Sequence, residues 1–169
     1  FFEHLAPFYR DIAIIQYYSA CRIGEILGLQ HECIDLEAKN IEIKYSAIHD
    51  NGKVFLRLGP TKTKSIKNVH ITDTLEKSLK RQIANKHSNS EFVFHNNGKP
   101  INYGAVLQRY NRALKKAGLR YSGTHILRHG FATFVREIGG GIDAVMSITG
   151  HKDPRVASDY AELNKDLRI

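Results

Sequence analysis

The chain of 169 residues contains no tryptophan, one methionine, two cysteines and four prolines, and it has no long uninterrupted apolar run. Cys21 and Cys33 do not form a C-x-x-C pair, so the pattern excludes the disulfide scaffolds of small secreted proteins. The apolar runs are far shorter than the ~20 residues with which a helix crosses a bilayer, and residues 1–10 lack the pattern of a signal peptide. These absences favour a cytoplasmic protein that does not contact a membrane.

Acidic residues are also scarce relative to basic ones. The 25 lysines and arginines outnumber the 17 aspartates and glutamates, which gives a net charge of +8, and the pI is near 9.5. Such an excess on one compact domain favours a polyanionic partner, and nucleic acid is the commonest polyanion. Charge alone leaves open the alternative of a solvated basic surface.

The length of the chain fits a single domain with a proper core. The sequence does not begin with methionine, and it opens inside an amphipathic segment. We therefore expect residues 1–169 to form one domain of a longer polypeptide whose missing part lies on the N-terminal side.

Apolar residues recur at helical spacing in most of the chain, and turn or capping residues bound these segments. Helices are predicted over residues 4–20, 22–29, 72–83, 102–118, 125–138, 143–148 and 154–163.

Between the second and third of these helices the apolar period changes to two, which is typical of strands. The alternating residues are Ile41, Ile43 and Tyr45 and, after Asp50-Asn51-Gly52, Val54, Leu56 and Leu58. They predict a hairpin whose loop is longer than the tight two-residue type, and residues 67–71 predict a third strand. The fold class is therefore α+β, mostly α-helical with a small three-stranded antiparallel sheet.

Arg22 opens the segment R-I-G-E-I-L-G-L, whose apolar residues are expected to face a core and leave the arginine at its edge. Glu25, three residues later, can hold the guanidinium in place. The planar fork of an arginine suits the non-bridging oxygens of a phosphate. Taken alone, a surface Arg–Glu helix pair is the simpler interpretation.

His125 and Arg128 lie three residues apart in T-H-I-L-R-H and share one face of a predicted helix. They would supply an imidazole and a second guanidinium to the same anion, although a structural histidine beside a solvated arginine is the alternative. His129 follows His125 at a metal-ligand spacing, but no H-E-x-x-H pattern and no cluster of acidic or cysteine ligands accompanies it. No metal site is expected.

His151 follows Gly150 in T-G-H, and Tyr160 comes nine residues later. A phenol ionises only near pH ~10, so nucleophilic attack at neutral pH requires nearby cations or a base. Arg22, Arg128 and His151 could provide them. Tyr160 is one of eight tyrosines, and without this context packing would be its expected role.

Lys62 lies in P-T-K-T-K-S between two predicted strands. A lysine at the tip of a hairpin can reach into a site and protonate a departing oxygen. Lys64 is two residues away, and spacing alone does not choose between them.

Together these segments resemble the catalytic domain of the tyrosine recombinases, the phage integrase family. The resemblance covers nearly the whole chain, in the family's order, through S-A-C-R-I-G-E-I-L-G-L, P-T-K-T-K-S, T-H-I-L-R-H-G-F-A-T, T-G-H and the last tyrosine. It implies the family's catalytic core, a DNA breaking and rejoining fold, and it implies that an N-terminal core-DNA-binding domain is absent from residues 1–169.

The resemblance implies six catalytic residues, which are Arg22, Lys62, His125, Arg128, His151 and Tyr160. In this scheme Arg22 and Arg128 bind the phosphate, Lys62 is the general acid, and Tyr160 is the nucleophile that forms a 3′-phosphotyrosyl link. The implied activity is site-specific recombination of DNA without a metal, ATP or other cofactor, for integration or excision of a bacterial mobile element. The implied partners are double-stranded DNA, further copies of the full-length protein in a homotetramer on DNA, and accessory DNA-bending factors. The implied location is the bacterial cytoplasm, in association with the nucleoid.

Contacts with DNA are expected from the basic face of the helix over residues 102–118 and from the lysine-rich hairpin. The candidate residues are Lys64, Lys67, Arg109, Arg112, Lys115 and Lys116. Most of them should contact phosphates, with Arg109 or Arg112 as candidates for reading bases in a major groove.

The alternatives to the recombinase function are a type IB topoisomerase, which shares the tyrosine chemistry, and a DNA-binding module that does not cleave.

Overall fold

The computed structural model describes residues 1–50, 53–58, 66–120, 123–150 and 153–162, and for residues 49–50, 53–58 and 159–162 it describes the backbone only. The helices are α1 (Pro7–Ser19), α2 (Ile23–Leu27), α3 (Asp73–Ala84), α4 (Tyr103–Lys116), α5 (Ile126–Glu137), α6 (Ile142–Thr149) and α7 (Pro154–Glu162). The strands are β1 (Ile34–Asp35), β2 (Asn40–Ile43), β3 (Tyr45–Asp50), β4 (Lys53–Leu58), β5 (Lys67–His70), β6 (His95–Asn96) and β7 (Lys99–Pro100). Every predicted helix is present, and the chain is mostly helical, as expected.

The strands are arranged differently from the single predicted sheet. An antiparallel three-stranded sheet has the order β1-β2-β5, while β3 and β4 form a separate two-stranded sheet. The continuous alternation at Ile41, Ile43 and Tyr45 is therefore divided between two sheets, since β2 ends at Ile43 and β3 begins at Tyr45. The prediction of a longer hairpin loop was wrong, because Asp50 pairs with Lys53 and leaves two residues between the strands.

Side-chain caps fix the starts of the helices that follow polar turns. The Thr72 hydroxyl accepts a hydrogen bond from the Leu75 amide at 3.5 Å and begins α3. The Asn102 side chain accepts one from the Gly104 amide at 2.7 Å and begins α4. Such caps satisfy amide donors that the helix itself cannot pair, which explains why the predicted starts at these residues are confirmed.

The core has two parts. A large cluster contains residues of the four helices α1, α2, α3 and α4, of the three-stranded sheet and of the beginning of α5. Its largest buried residues include Ile12, Phe94 and Tyr110. A smaller cluster joins α5, α6 and α7 through Ala132, Val135, Val145 and Ala157. Two of these residues are alanines, and each of the three helices packs against the other two. In the part of the chain that is described, no helix is both long and apolar enough to span a membrane.

A buried carboxylate connects α1 with α3. Asp11 accepts hydrogen bonds from Arg81 and, at 2.7 Å, from Gln82 Nε2. The carboxylate is 2% exposed, and these charge-assisted bonds compensate for its removal from water. They fix the direction of α1, which ends at the candidate site.

Helix α2 lies directly on strand β3 because its glycines leave room for the strand. A Cβ added at Gly24 would lie 2.9 Å from the Ala47 carbonyl oxygen and 2.8 Å from Ser46 Oγ. One added at Gly28 would lie 2.8 Å from the Ala47 nitrogen. The spacing of glycine in R-I-G-E-I-L-G-L therefore reflects a close approach to backbone atoms, and it holds Arg22 next to the hairpin.

Gly24→Ala should destabilise the protein, although alanine is the better helix former by about 1 kcal/mol. The new methyl group would push against the backbone of β3, and overpacking of this kind costs about 1–3 kcal/mol. Chemical denaturation measures the free energy of unfolding. Thr74→Ala, at an exposed position of α3, is the control and should change it by less than about 0.5 kcal/mol; an increase of stability in Gly24→Ala would contradict the close contact.

Candidate functional site

A sharp turn after α1 forms the centre of the site. Ala20 has φ 49° and ψ 30°, a left-handed conformation that ends the helix, and its amide donates to the Tyr17 carbonyl. Non-glycine residues adopt this conformation at a cost of about 1–2 kcal/mol. Residues 20 and 21 are fully buried, and the chain emerges at Arg22, which precedes α2.

One carboxylate holds Arg22 at two points. Glu25 Oε2 accepts a hydrogen bond from the Arg22 amide at 2.8 Å, and Oε1 accepts one from Arg22 Nη1 at 3.1 Å. The Glu25 side chain is 4% exposed while that of Arg22 is 39% exposed. The predicted pair is therefore present, with its anion buried and its guanidinium oriented at the surface.

Arg128, on α5, connects the turn after α1 with the end of α6. This residue is 1% exposed. Its Nη1 donates to the Ala20 carbonyl at 2.8 Å, and its Nη2 donates to the Thr149 carbonyl at the end of α6. The sequence left open a phosphate-binding or a solvated arginine. The structure shows a buried guanidinium that connects α5 with both the 20–22 turn and α6, which excludes the solvated alternative.

His125 lies immediately before α5, within the field of both arginines. Partial removal from water lowers the pKa of His125 below its ordinary value, the Arg128 and Arg22 cations lower it further, and Glu25 acts in the opposite direction. His125 therefore lies within electrostatic range of Arg128, Arg22 and Glu25. The ring of His129 lies one helical turn away, with its centroid 6.4 Å from that of His125.

Helix α7 carries Tyr160 and packs against α5 and α6 through Ala157, which is fully buried. The helix of the predicted nucleophile therefore lies beside the helix of Arg128. The side chain of Tyr160 and the whole of Lys62, Lys64 and His151 lie outside the described residues.

A buried polar network that the sequence analysis did not identify positions the beginning of α5. Gln16 Nε2 donates to the Thr124 carbonyl at 2.8 Å, and Gln16 Oε1 accepts from the Tyr110 hydroxyl at 3.1 Å. The Tyr103 and Thr124 hydroxyls lie 3.3 Å apart. The signal in the sequence was a glutamine on the buried face of α1, next to Ile12 and Ile15, where an apolar residue would be ordinary.

The predicted DNA-contact residues divide into two groups. On α4, Arg109, Arg112, Lys115 and Lys116 are exposed, and the guanidinium of Arg109 lies over the ring of Tyr9 at 5.5 Å. The ammonium of Lys67 points inward instead and donates to the Ser19 carbonyl at 2.8 Å. Among the described residues, no three His, Cys, Asp or Glu side chains are grouped so that they could hold a metal ion.

The phage integrase family model matches residues 6–166 of the chain. The chain belongs to the phage integrase family. Its relatives include the tyrosine recombinase XerD of Staphylococcus saprophyticus, which is 26% identical over 93% of this chain and 51% of that protein. Another is the tyrosine recombinase XerC of Alcanivorax borkumensis, at 30% identity over 92% of this chain and 48% of that protein.

The fold agrees with this membership. The integrase of the Tn1549 transposon, solved in complex with circular intermediate DNA, superimposes with a TM-score of 0.74 over 90% of this chain and 54% of that chain, at 21% identity. The catalytic-domain fold implied by the sequence motifs of this integrase-family chain is thus confirmed. The chain spans about half the length of the curated relatives that it matches.

Arg22→Gln should raise the pKa of His125 toward its ordinary value, because one of the two cations that disfavour imidazolium is removed. NMR titration of the His125 ring measures this pKa. Because the pKa in the folded state is depressed, the unfolded state binds the proton more readily, and stability attributable to His125 should fall as the pH drops below about 6.5. A His125 pKa that is the same in Arg22→Gln and in the parent protein would contradict the proximity of the two side chains.

Proposed function

We propose that this integrase-family domain is the catalytic part of a site-specific DNA recombinase that acts through a phosphotyrosyl intermediate. The observation that carries the proposal is the convergence of Arg22, Arg128 and His125 at one end of α1, with the helix of Tyr160 packed beside that of Arg128. Two guanidinium groups and an imidazole are donors suited to a phosphodiester. The XerD and XerC relatives are named tyrosine recombinases, which supports the same reaction.

The proposed reaction begins with Tyr160 as the nucleophile. Its phenol gives its proton to a base, for which the imidazole of His151 is the candidate. The phenolate oxygen attacks the phosphorus atom of a DNA phosphodiester in line, and a phosphorus–oxygen bond to the tyrosine forms. The bond from phosphorus to the 5′ oxygen breaks, and Lys62 donates the proton that converts this oxygen to a hydroxyl. The 5′-hydroxyl of a partner strand then reverses these steps and rejoins the DNA.

Arg22, Arg128, His125 and His151 stabilise charge in this scheme. The pentacoordinate phosphorane gains negative charge on its non-bridging oxygens. Preorganised N–H donors, which are two guanidinium cations and two imidazoles, lower its free energy without reorganising during the reaction. Arg22 is already oriented by Glu25 before DNA binds. Its side chain is 39% exposed, and His125 is exposed as well, so an incoming phosphate can reach both groups.

The exposed basic face of α4 is the proposed surface for DNA. Arg112 and Lys116 lie four residues apart on α4 and are both exposed, and Arg109 is steadied by Tyr9. Several copies bound to DNA, in the tetramer that strand exchange between two duplexes requires, and DNA-bending factors are further parts of the proposal. Integration or excision of a mobile element is the proposed biological reaction.

A nicked suicide substrate should trap the covalent intermediate, since the released short strand diffuses away and cannot rejoin. Tyr160→Phe should form no covalent complex on a denaturing gel and should bind the same DNA as tightly as the parent protein. A covalent band that persists in Tyr160→Phe would show that another residue is the nucleophile. A parent protein that binds DNA without any covalent band would favour the non-cleaving module.

Arg22→Ala should slow cleavage by ~10²–10³-fold, the usual cost of losing one preorganised donor. Arg22→Lys is the matched variant, which keeps the positive charge and loses the planar fork. Its cleavage rate should lie between those of the parent protein and Arg22→Ala. Single-turnover cleavage with saturating protein measures the effect. Equal cleavage rates for the parent protein and both variants would contradict the role of Arg22. In a separate assay of the parent protein, relaxation of supercoiled DNA without recombinant products would favour the topoisomerase alternative.

Arg112→Ala combined with Lys116→Ala should weaken DNA binding and reduce its dependence on salt. Each lost phosphate contact should lower the slope of log K against log salt by about 0.9. Lys77→Ala, an exposed residue of α3, is the control and should leave both quantities unchanged. An unchanged slope in the double variant would exclude α4 as the DNA surface.

A further inference from the structure

Two cations hold consecutive carbonyl groups at the end of α1. Lys67 Nζ donates to the Ser19 carbonyl at 2.8 Å and lies 3.7 Å from Cys21 Sγ, and Arg128 Nη1 donates to the Ala20 carbonyl at 2.8 Å. Cys21 is fully buried. The turn that leads to Arg22 is therefore held from two directions, by β5 and by α5.

This arrangement has a clear electrostatic reason. The last carbonyls of a helix have no amide partner within it and form the negative end of the helix dipole. A cation at this end is favourable, and it compensates for the left-handed conformation of Ala20. The Ser19 hydroxyl adds to the turn by donating to the Ile15 carbonyl at 2.6 Å.

Lys67 also occupies a particular place in the sheet. It is the first residue of β5 and pairs with Ile43 of β2. Lys62 precedes it by five residues, so the two Cα atoms can be at most about 18 Å apart in an extended chain. The contact between Lys67 and Ser19 therefore limits how far Lys62, the proposed general acid, can lie from the turn that precedes Arg22.

We propose that Lys67 is a positioning residue for Arg22 and not a DNA contact. The inference rests on the proposed recombinase function, and it replaces the DNA-binding role that the sequence suggested for this lysine. The ammonium keeps the turn at residues 19–21 in place, so that Arg22, oriented by Glu25, meets the phosphate in the productive geometry. A displacement of about 1 Å at a reacting group can cost ~10²-fold in rate.

Lys67→Met removes the ammonium and keeps the apolar stem. We expect single-turnover cleavage of the suicide substrate to slow by about 10–100-fold at saturating protein, while the dissociation constant for DNA and its salt slope stay unchanged. Lys67→Arg, which restores a cation for the Ser19 carbonyl, should recover most of the rate. A weaker dissociation constant together with a salt slope reduced by about 0.9 would instead show that Lys67 contacts a phosphate.

A substrate with sulfur in place of the 5′ bridging oxygen separates positioning from proton donation. A thiolate leaves without being protonated, because a thiol is far more acidic than an alcohol. The sulfur substrate should restore cleavage in Lys62→Met and should not restore it in Lys67→Met. Recovery of the parent rate in Lys67→Met would identify Lys67 as the general acid and overturn the proposal.

The NMR resonance of Arg22 Nε–H tests the inference in the absence of DNA. In Lys67→Met it should shift and broaden, because the turn that holds the Arg22–Glu25 pair is loosened, whereas in Lys115→Met, on exposed α4, it should not move. An unchanged Arg22 resonance and an unchanged cleavage rate, with only a lower melting temperature, would reduce Lys67 to a stabilising residue. If the parent protein does not cleave DNA at all, the recombinase proposal fails. The Arg22 resonance would still show whether Lys67 holds Arg22 in place.

Discussion

The buried guanidinium of Arg128 is the interaction on which the site depends. It binds the Ala20 carbonyl before Arg22 and the Thr149 carbonyl at the end of α6, so three segments far apart in sequence meet at one group. A buried charge is tolerated only where its donors are paired. The same contacts that compensate for burying the arginine therefore fix the relative positions of α1, α5 and α6. Arg128 has this structural role before it has any role toward DNA.

Around this centre the molecule uses small residues and backbone carbonyls to bring charged groups close together. Gly24 and Gly28 allow α2 to lie on β3, and Ala157 allows α7 to lie on α5 and α6. Glu25 is buried beneath Arg22 and orients it at the surface. Partial removal of His125 from water, and after it the positive charges of Arg128 and Arg22, disfavour protonation of its ring and lower its pKa.

Much of this was predictable from the sequence, because periodicity and caps are local signals. The helices, including the starts of α3 at Thr72 and of α4 at Asn102, and the Arg22–Glu25 pair follow from local residue patterns. The division of the strands into two sheets was not predictable, since the alternation from Ile41 to Tyr45 is the same in one sheet or two. The roles of Gln16 and Lys67 were missed for a related reason: each acts on a carbonyl more than 40 residues away in sequence, and sequence spacing contains no information about such partners. The basic charge of Lys67 suggested DNA, whereas its position directs it to a helix end.

The most direct test of the account is whether the Arg128 guanidinium is fixed by the backbone in solution. NMR can detect scalar coupling through a hydrogen bond, from Arg128 Nη1 to the carbonyl carbon of Ala20, in the protein without DNA. The account predicts separate, slowly exchanging Nη resonances for Arg128 and a measurable coupling to Ala20. A single averaged Nη resonance that exchanges rapidly with water and shows no coupling would contradict it, because the turn before Arg22 would then lack its connection to α5.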